Sequence, residues 1–597
     1  MGIQAADAIV GALAGAGTRL MFGVPGGGPN LDVVGAAAAA GLRFVLAHGE
    51  TAAAIMAASY ADLTGAPGAV VVTRGPGLAS AVNGIAHAAL DRLPVVVIAD
   101  TVPAADAGRI SHQLIDQAAL GRSVAKATAT IGGPHAAQTA TRLVQAALAA
   151  PAGPVIATID DSATGTGPEA GEPSATVDDT RPDGKRGEEI GRPTAADGIG
   201  RNGRRPDGNW TPTAANASGR NGNAAAPVLA GALRAARRPV LLLGSGAIAH
   251  TAAVRAALAG RGIPALHTYR ARGIIPDHDA DAAGLVTGGT MEWPLLDAAD
   301  LIVGLGVDEA EMVPGRWDYA ARTVLVTGPE GARGYFTGAT ALRMPLERAL
   351  DVLAQGPGHD WAPGTGRTVK ADAVRRLLEA TSAAPGRLAP QQVAATVRAG
   401  TPQDTIATVD AGAHMLVVMP LWEVPEPRRL LISSGLATMG YALPAAIAAA
   451  LCTPGSPVVA FTGDGGLGMT LAEVETAVRL GLRVIVVVFN DAALSLIQIK
   501  QKPAGQGGEE AVRYRPIDFA AAAVAMGAAG AAVGTERDLA AALACALRRP
   551  GPTVIDASVD PACYPAVMDL SRGPAGRRSV PGVGRANSLP AAKEHAR

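Results

Sequence analysis

Two carboxylates near the carboxyl end of the chain stand where a cation and a phosphate could be held together. The apolar run PVVAFT (457–462) ends in Gly463-Asp464-Gly465-Gly466, and the run RVIVVVF (483–489) ends in Asn490-Asp491. Between Gly465 and Asn490 lie 24 residues, room for one helix, expected over about 470–480, and one strand. A βαβ crossover of that length returns both ends to the same sheet edge, so Asp464 and Asp491 can meet. Two hard oxygen donors beside glycines that admit a diphosphate to the backbone suit Mg²⁺ bridging protein and phosphate. A glycine-rich turn with one solvated Asp is the competing reading, and the paired spacing speaks against it.

These groups need a scaffold that repeats strand and helix. Apolar runs at 19–24, 68–73 and 94–99 mark a first block, runs at 239–244 and 301–306 a second, and runs at 405–410, 457–465, 483–491 and 553–559 a third. Alanine-rich stretches separate them and read as amphipathic helices, so the fold class is α/β with parallel sheets and ligands at the carboxyl ends of the strands. The expected organisation is a domain over 1–160, a disordered low-complexity linker over 161–227, a central domain over 228–356, a third domain over 384–570 and a disordered tail over 571–597. Gly, Pro, Asn, Asp and Arg dominate the linker, which has too few large apolar residues to offset its ordering entropy. Gly244-Ser245-Gly246-Ala247-Ile248-Ala249 after the 239–244 run imitates a dinucleotide fingerprint, but no acid stands near the end of the next candidate strand, PALHTY (264–269).

The chain has 597 residues, 48% hydrophobic but only 3% aromatic, with 75 glycines, so its cores are built from alanine and short aliphatics. Lys plus Arg total 51 against 52 Asp plus Glu, which leaves no basic field for nucleic acid or anionic lipid. Cys452, Cys545 and Cys563 show no CxxC spacing, which argues against a disulfide framework or a zinc knuckle. The first 17 residues read as an amphipathic helix and not a signal peptide, and no apolar run is long enough to span a bilayer. A cytoplasmic protein without nucleic-acid or membrane partners is the expectation.

The motifs fall in a familiar order. FGVPGG (22–27), HGETAAAIMAASYADLTG (48–65), TRGPG (73–77) and LPVVVI (93–98) are followed by DAGAH (410–414), SSGLATMGYALPAAIAAAL (433–451) and the paired GDG and ND motifs. Together they resemble the thiamine diphosphate-dependent enzymes of the acetolactate synthase and benzoylformate decarboxylase group, over the whole chain except the 161–227 insert and the tail. The resemblance implies two thiamine diphosphate-binding-fold domains, pyrimidine-binding and diphosphate-binding, flanking a central Rossmann-like domain. It makes Glu50 the carboxyl group that bonds N1′ of the aminopyrimidine, and Asp464, Asp491 and the Ala493 carbonyl the Mg²⁺ ligands. It assigns Gly26, Gly27, Gly412, Ala413, His414, Gly463, Gly465 and Gly466 to cofactor binding and Met439 to the apolar wedge under the thiazolium. For His414 an ordinary partly buried histidine is the competing reading, and for Met439 core packing is compatible with the wedge. His112 and Gln113 match the segment that faces a bound 2-oxo acid. The active site is expected at the subunit interface of a homodimer or homotetramer.

The resemblance implies an acetolactate-synthase-like carboligase, which decarboxylates a 2-oxo acid and passes the hydroxyalkyl group to an acceptor. A simple decarboxylase of the benzoylformate type is the alternative, and an inactive cofactor-binding paralogue a remote one. Val307-Asp308-Glu309 stands where the synthases carry an arginine for the second carboxylate, and valine cannot imitate its bidentate fork. The flanking acids would repel a second 2-oxo acid. ALSLIQIKQ (493–501) also lacks the tryptophan that the synthases carry after the metal motif. FAD, which the synthases hold in the central domain, stays open here, with activity expected not to depend on it.

Overall fold

The computed structural model describes residues 4–573 except 104, 105, 107, 161–224, 314, 316, 328–333 and 502–507. Three six-stranded parallel sheets follow one another along the chain. The first contains β1 (Leu20–Val24), β2 (Arg43–Leu46), β3 (Gly68–Val72), β4 (Val95–Asp100), β5 (Ala127–Ile131) and β6 (Val155–Ile159), in the order β2-β1-β3-β4-β6-β5. The second contains β7 (Pro239–Leu243), β8 (Ala265–His267), β9 (Ala282–Leu285), β10 (Leu301–Leu305), β11 (Arg322–Thr327) and β12 (Thr340–Arg343), in the order β12-β11-β10-β7-β8-β9. The third contains β13 (Ile406–Val409), β14 (Leu430–Ile432), β15 (Val458–Gly463), β16 (Val484–Asn490), β17 (Ala529–Val533) and β18 (Thr553–Ser558), in the order β14-β13-β15-β16-β18-β17.

The first and third sheets therefore share one topology, whereas the second has the doubly wound order of dinucleotide-binding folds. Strands β3 and β4 are buried along their whole length, because helices cover both faces of a parallel sheet. That is why they read as unbroken apolar runs. In each sheet the order reverses beside the first strand, and the motifs singled out above end there: 24–27 and 73–77 at β1 and β3, 410–414 and 463–466 at β13 and β15.

The two outer domains share one core through the helices Glu50–Thr64 and Ala442–Cys452. Residues 52–61 of the first and 442–450 of the second are buried without a break, so these helices are enclosed on all sides and not amphipathic as expected. Alanines on both let the backbones approach closely. The Pro76–Leu90 helix crosses the first at Gly84, where a Cβ would come within 2.5 Å of Ala54 Cβ and 2.9 Å of the Thr51 carbonyl.

Several boundaries differ from the sequence expectation. A helix, Ala225–Ala235, begins inside the expected linker, because Ala225 packs into the central core and Ala226 beside it is buried. Another, Tyr564–Arg572, runs past the expected start of the tail, held where the Ser571 hydroxyl donates to the Leu416 carbonyl. The rest of the linker, 161–224, and of the tail, 574–597, lies outside the described residues. The helix expected over 470–480 is two helices, Asp464–Thr470 and Glu473–Arg479. Between 356 and 384, Thr365–Leu378 forms a helix whose Val369 joins the central core and Leu377 the third. Among the described residues no helix is long and apolar enough to cross a membrane.

Candidate active site

The carboxyl ends of β15 and β16 bring the two paired carboxylates together. Asp464 opens its helix, and its Oδ2 accepts the backbone N–H groups of Asp491 (3.0 Å) and Ala492 (2.6 Å). Its Oδ1 accepts Gly465 N–H (2.7 Å) and the Tyr514 hydroxyl. Burial pushes the Asp464 carboxyl up, and these four donors oppose the shift. Asp491, which accepts the Ser495 hydroxyl, is pushed up to about 7, first by burial and then by the charge of Asp464 beside it. The turn through Ala492 (φ +56°) carries Ala493, which is buried. A buried and a half-buried acid at one edge are a hard oxygen set that a divalent cation would neutralise. Among the described residues no third His, Cys, Asp or Glu joins them, so carbonyl and phosphate oxygens would complete the shell.

Beside them the DAGAH turn after β13 is tied down by Asp410. Its Oδ2 accepts the Thr462 hydroxyl (2.6 Å), and its Oδ1 accepts the N–H groups of Tyr441 and Ala442 at the start of the Ala442–Cys452 helix. A Cβ at Gly466 would fall 2.1 Å from Asp410 Oδ2, so only glycine fits there. Nothing in the sequence analysis gave Asp410 a role, since its partners are backbone groups and a distant threonine. His414 is 3% exposed and tilted against Phe489 at 5.4 Å, and burial lowers its pKa to about 3. Its Nε2 has no hydrogen-bond partner, which leaves a buried polar atom at the strand ends. Met439 reaches the GDG turn, where its Cε would lie 3.3 Å from a Cβ at Gly465.

The first domain assembles its own group. Gly26 N–H bonds Asn30 Oδ1 (3.2 Å), Asn30 bonds Asp100 (2.8 Å), and Asp100 also takes the Arg74 N–H and guanidinium, both at 2.7 Å. Gly27 follows in the same turn. Glu50 opens its helix and faces the TRGPG turn, with Oε1 3.5 Å from where a Cβ at Gly77 would stand. His112 and Gln113 are exposed, and Gln113 (φ +57°) lays its backbone against Gly75 of the same turn. Glu50, Gln113 and the 73–77 turn are thereby neighbours. The Glu50 side chain makes no hydrogen bond or ion pair among the described residues.

Within the chain the outer domains are joined by other side chains. Asp91 accepts Ser434 N–H (3.1 Å) and Gly435 N–H (2.6 Å), and the Thr438 hydroxyl donates to Asn83 Oδ1 (2.7 Å), which fixes the loop that carries Met439. Neither Asp91 nor Asn83 stood out in the sequence.

A cavity of about 1020 Å³ lies between the first and central domains, lined among others by Arg92, Ser245, Val307 and Asp308. The N–H groups of the glycine turn are spent inside the chain: Gly244 on Leu305 O, Ser245 on Glu311, Gly246 on Gly306 O and Ala247 on Gly244 O. Such a turn offers no backbone donor to a diphosphate, so the cavity has the volume for FAD without the usual phosphate cradle. Asp308 is not a free acid as expected: Arg92 pairs with it at 2.8 Å, and Glu309 accepts the N–H groups of Gly334 and Tyr335.

The thiamine pyrophosphate enzyme N-terminal TPP binding domain model matches residues 3–120, the central domain model residues 228–327 and the C-terminal TPP binding domain model residues 410–557. The chain is 27% identical over 587 residues to an acetolactate synthase of Bacillus subtilis (strain 168), covering 93% of each. It is 28% identical over 582 residues to a catabolic acetolactate synthase of Raoultella terrigena, covering 94% of this chain and 96% of the relative. It is also 28% identical over 588 residues to a 2-hydroxyacyl-CoA lyase of Oryza sativa subsp. japonica, covering 92% and 94%. With three models matched in order along its length, the chain belongs to the thiamine pyrophosphate-dependent enzymes.

Proposed function

We propose that the chain is a thiamine diphosphate- and Mg²⁺-dependent carboligase that acts on a 2-oxo acid, a reading supported by the acetolactate synthases among its relatives. The observation that carries this reading is the pair of Asp464, buried, and Asp491, half-buried, at one sheet edge, next to His414 Nε2, which has no hydrogen-bond partner among the described residues. Such a donor set fits a divalent cation and a diphosphate, with the Ala493 carbonyl as a further oxygen and the turns at Gly412, Ala413, Gly463, Gly465 and Gly466 against the phosphates. When bound, the cofactor supplies a carbanion at its thiazolium C2 and an electron sink for decarboxylation. With the cofactor bound, Met439 would pack against the thiazolium, the turn at Gly26 and Gly27 would border the pyrimidine, and Glu50 would hold the proton at N1′. His112 and Gln113, exposed at the rim, meet the 2-oxo acid. Among the described residues the Glu50 side chain has no hydrogen-bond or ion-pair partner, which fits a site shared between two subunits. Exposed Leu114, Ile115, Met469 and Ile497 offer apolar surface for that contact.

One observation favours a second reading, a non-oxidative decarboxylase. The cation beside the end of β10, Arg92, is already paired with Asp308, which sets it against holding a second carboxylate. FAD is not required in either reading, since the glycine turn keeps its amides for itself. Purified protein given thiamine diphosphate, Mg²⁺ and a panel of 2-oxo acids decides between them. Acetolactate or another ligated product from the acids supports the first reading, and aldehyde alone supports the second. Calorimetry in which thiamine diphosphate bound equally well with EDTA present would exclude the Mg²⁺ site.

A further inference from the structure

The segment that presents Glu50 is held from the far end of the chain. Residues 46–49 run from the end of β2 into the Glu50–Thr64 helix, and three side chains of the Glu473–Arg479 helix grip them. Glu473 Oε1 accepts both His48 N–H (3.0 Å) and Gly49 N–H (3.1 Å), Glu475 Oε2 lies 2.7 Å from His48 Nε2, and Arg479 donates to the Leu46 carbonyl (2.6 Å). The first N–H groups of a helix have no partner inside it, and the N-cap residue here, Gly49, has no side chain to supply one. Glu473, 424 residues further along the chain, instead takes the N–H of Gly49 itself, together with that of His48 before it.

That carboxylate is 2% exposed, and its Oε2 takes the Thr476 hydroxyl at 2.8 Å. Burial pushes its pKa up, and the Thr476, His48 and Gly49 donors pull it back. A buried acid is costly unless such donors satisfy it, and an apolar side chain would fill the same space without that cost. What an apolar side chain could not do is fix two backbone N–H groups one and two residues ahead of Glu50. Glu475 and Arg479, paired with each other, brace the same segment from the surface.

We infer that Glu473 is a positioning residue for Glu50, setting the backbone from which the Glu50 carboxyl reaches the cofactor. The inference rests on the role proposed for Glu50. The test uses the full chain and three variants, Glu473→Ala, Glu473→Gln and the double variant E475A/R479A. In the cofactor-free protein, Glu473→Ala should speed hydrogen exchange over residues 46–52 by at least about tenfold while the Ala442–Cys452 helix stays protected. In the loaded protein, kcat should fall at least about tenfold with KM and cofactor affinity within about twofold, as expected of a group displaced from its working geometry. Glu473→Gln, whose amide oxygen still accepts both N–H groups, should recover most of kcat. If Glu473→Ala does not fold, E475A/R479A must show the same local loosening and a smaller loss of kcat. Unchanged exchange over 46–52, or loosening with unchanged kcat, would overturn the inference while leaving the proposed function standing. A wild-type chain that bound no thiamine diphosphate would instead defeat that function, and the role of Glu473 with it.

Discussion

Asp464 spends its acceptor capacity inside the chain. A carboxylate offers roughly four lone-pair sites, and three backbone N–H groups and the Tyr514 hydroxyl take them. A cation has to displace one of these, and only the Tyr514 hydroxyl can leave without moving backbone. Tyr514→Phe is therefore expected to tighten Mg²⁺-dependent binding of thiamine diphosphate by up to about tenfold, the worth of one hydrogen bond to a charged group. Calorimetric titration checks this, and weaker binding would show that the hydroxyl belongs to the loaded site. Glu50→Gln should bind the cofactor as wild type does yet turn over at least about a hundredfold more slowly, because glutamine bonds N1′ without holding its proton. Steady-state kinetics beside the same titration separate the two effects. At this scale Asp464 and Asp491 were legible, because their partners lie one βαβ unit apart. Asp410 was not, because it acts on backbone groups that any residue could supply.

Helix contact decides how closely the outer domains fit. Gly84→Ala would drive a methyl into Ala54 and the Thr51 carbonyl, where neither backbone can yield cheaply. A cost of about 1–3 kcal/mol is expected, seen as a lower urea midpoint, together with reduced kcat because Thr51 adjoins Glu50. Gly11→Ala, in the exposed face of the Ala5–Gly15 helix with nothing within 4 Å, is the matched control and should raise stability by about 0.5–1 kcal/mol. The strands were legible as runs because both faces of each central strand are buried. The helices were misread as amphipathic because alanine is neutral in pattern: a helix enclosed on all sides and one half exposed differ little in an alanine-rich sequence.

Two chains carry complementary halves of each site in the proposed dimer. Mixing Glu50→Gln with Asp464→Ala chains should restore about a quarter of wild-type activity, since half of randomly paired dimers are mixed and each holds one intact site. No recovery after unfolding and co-refolding would place both residues on one chain's site. Replacing residues 164–223, which lie outside the described residues, by a short Gly/Ser segment should leave activity and solubility intact, as loop closure changes by only about 0.6 kcal/mol per doubling of length. Gel filtration and the same assay check it. The sequence by itself determined three α/β blocks, the order of their motifs and the Asp464 and Asp491 pair, because each depends on short-range periodicity or on the length of one crossover. Only the tertiary structure decided that Glu473 holds His48 and Gly49, that Asp91 holds Ser434 and Gly435, that Arg92 neutralises Asp308 and that the glycine turn of the central domain keeps its own amides. The reason is physical. Most of these contacts join a side chain to backbone N–H groups or join charges across hundreds of residues, and a backbone group carries no residue type by which a sequence could announce it.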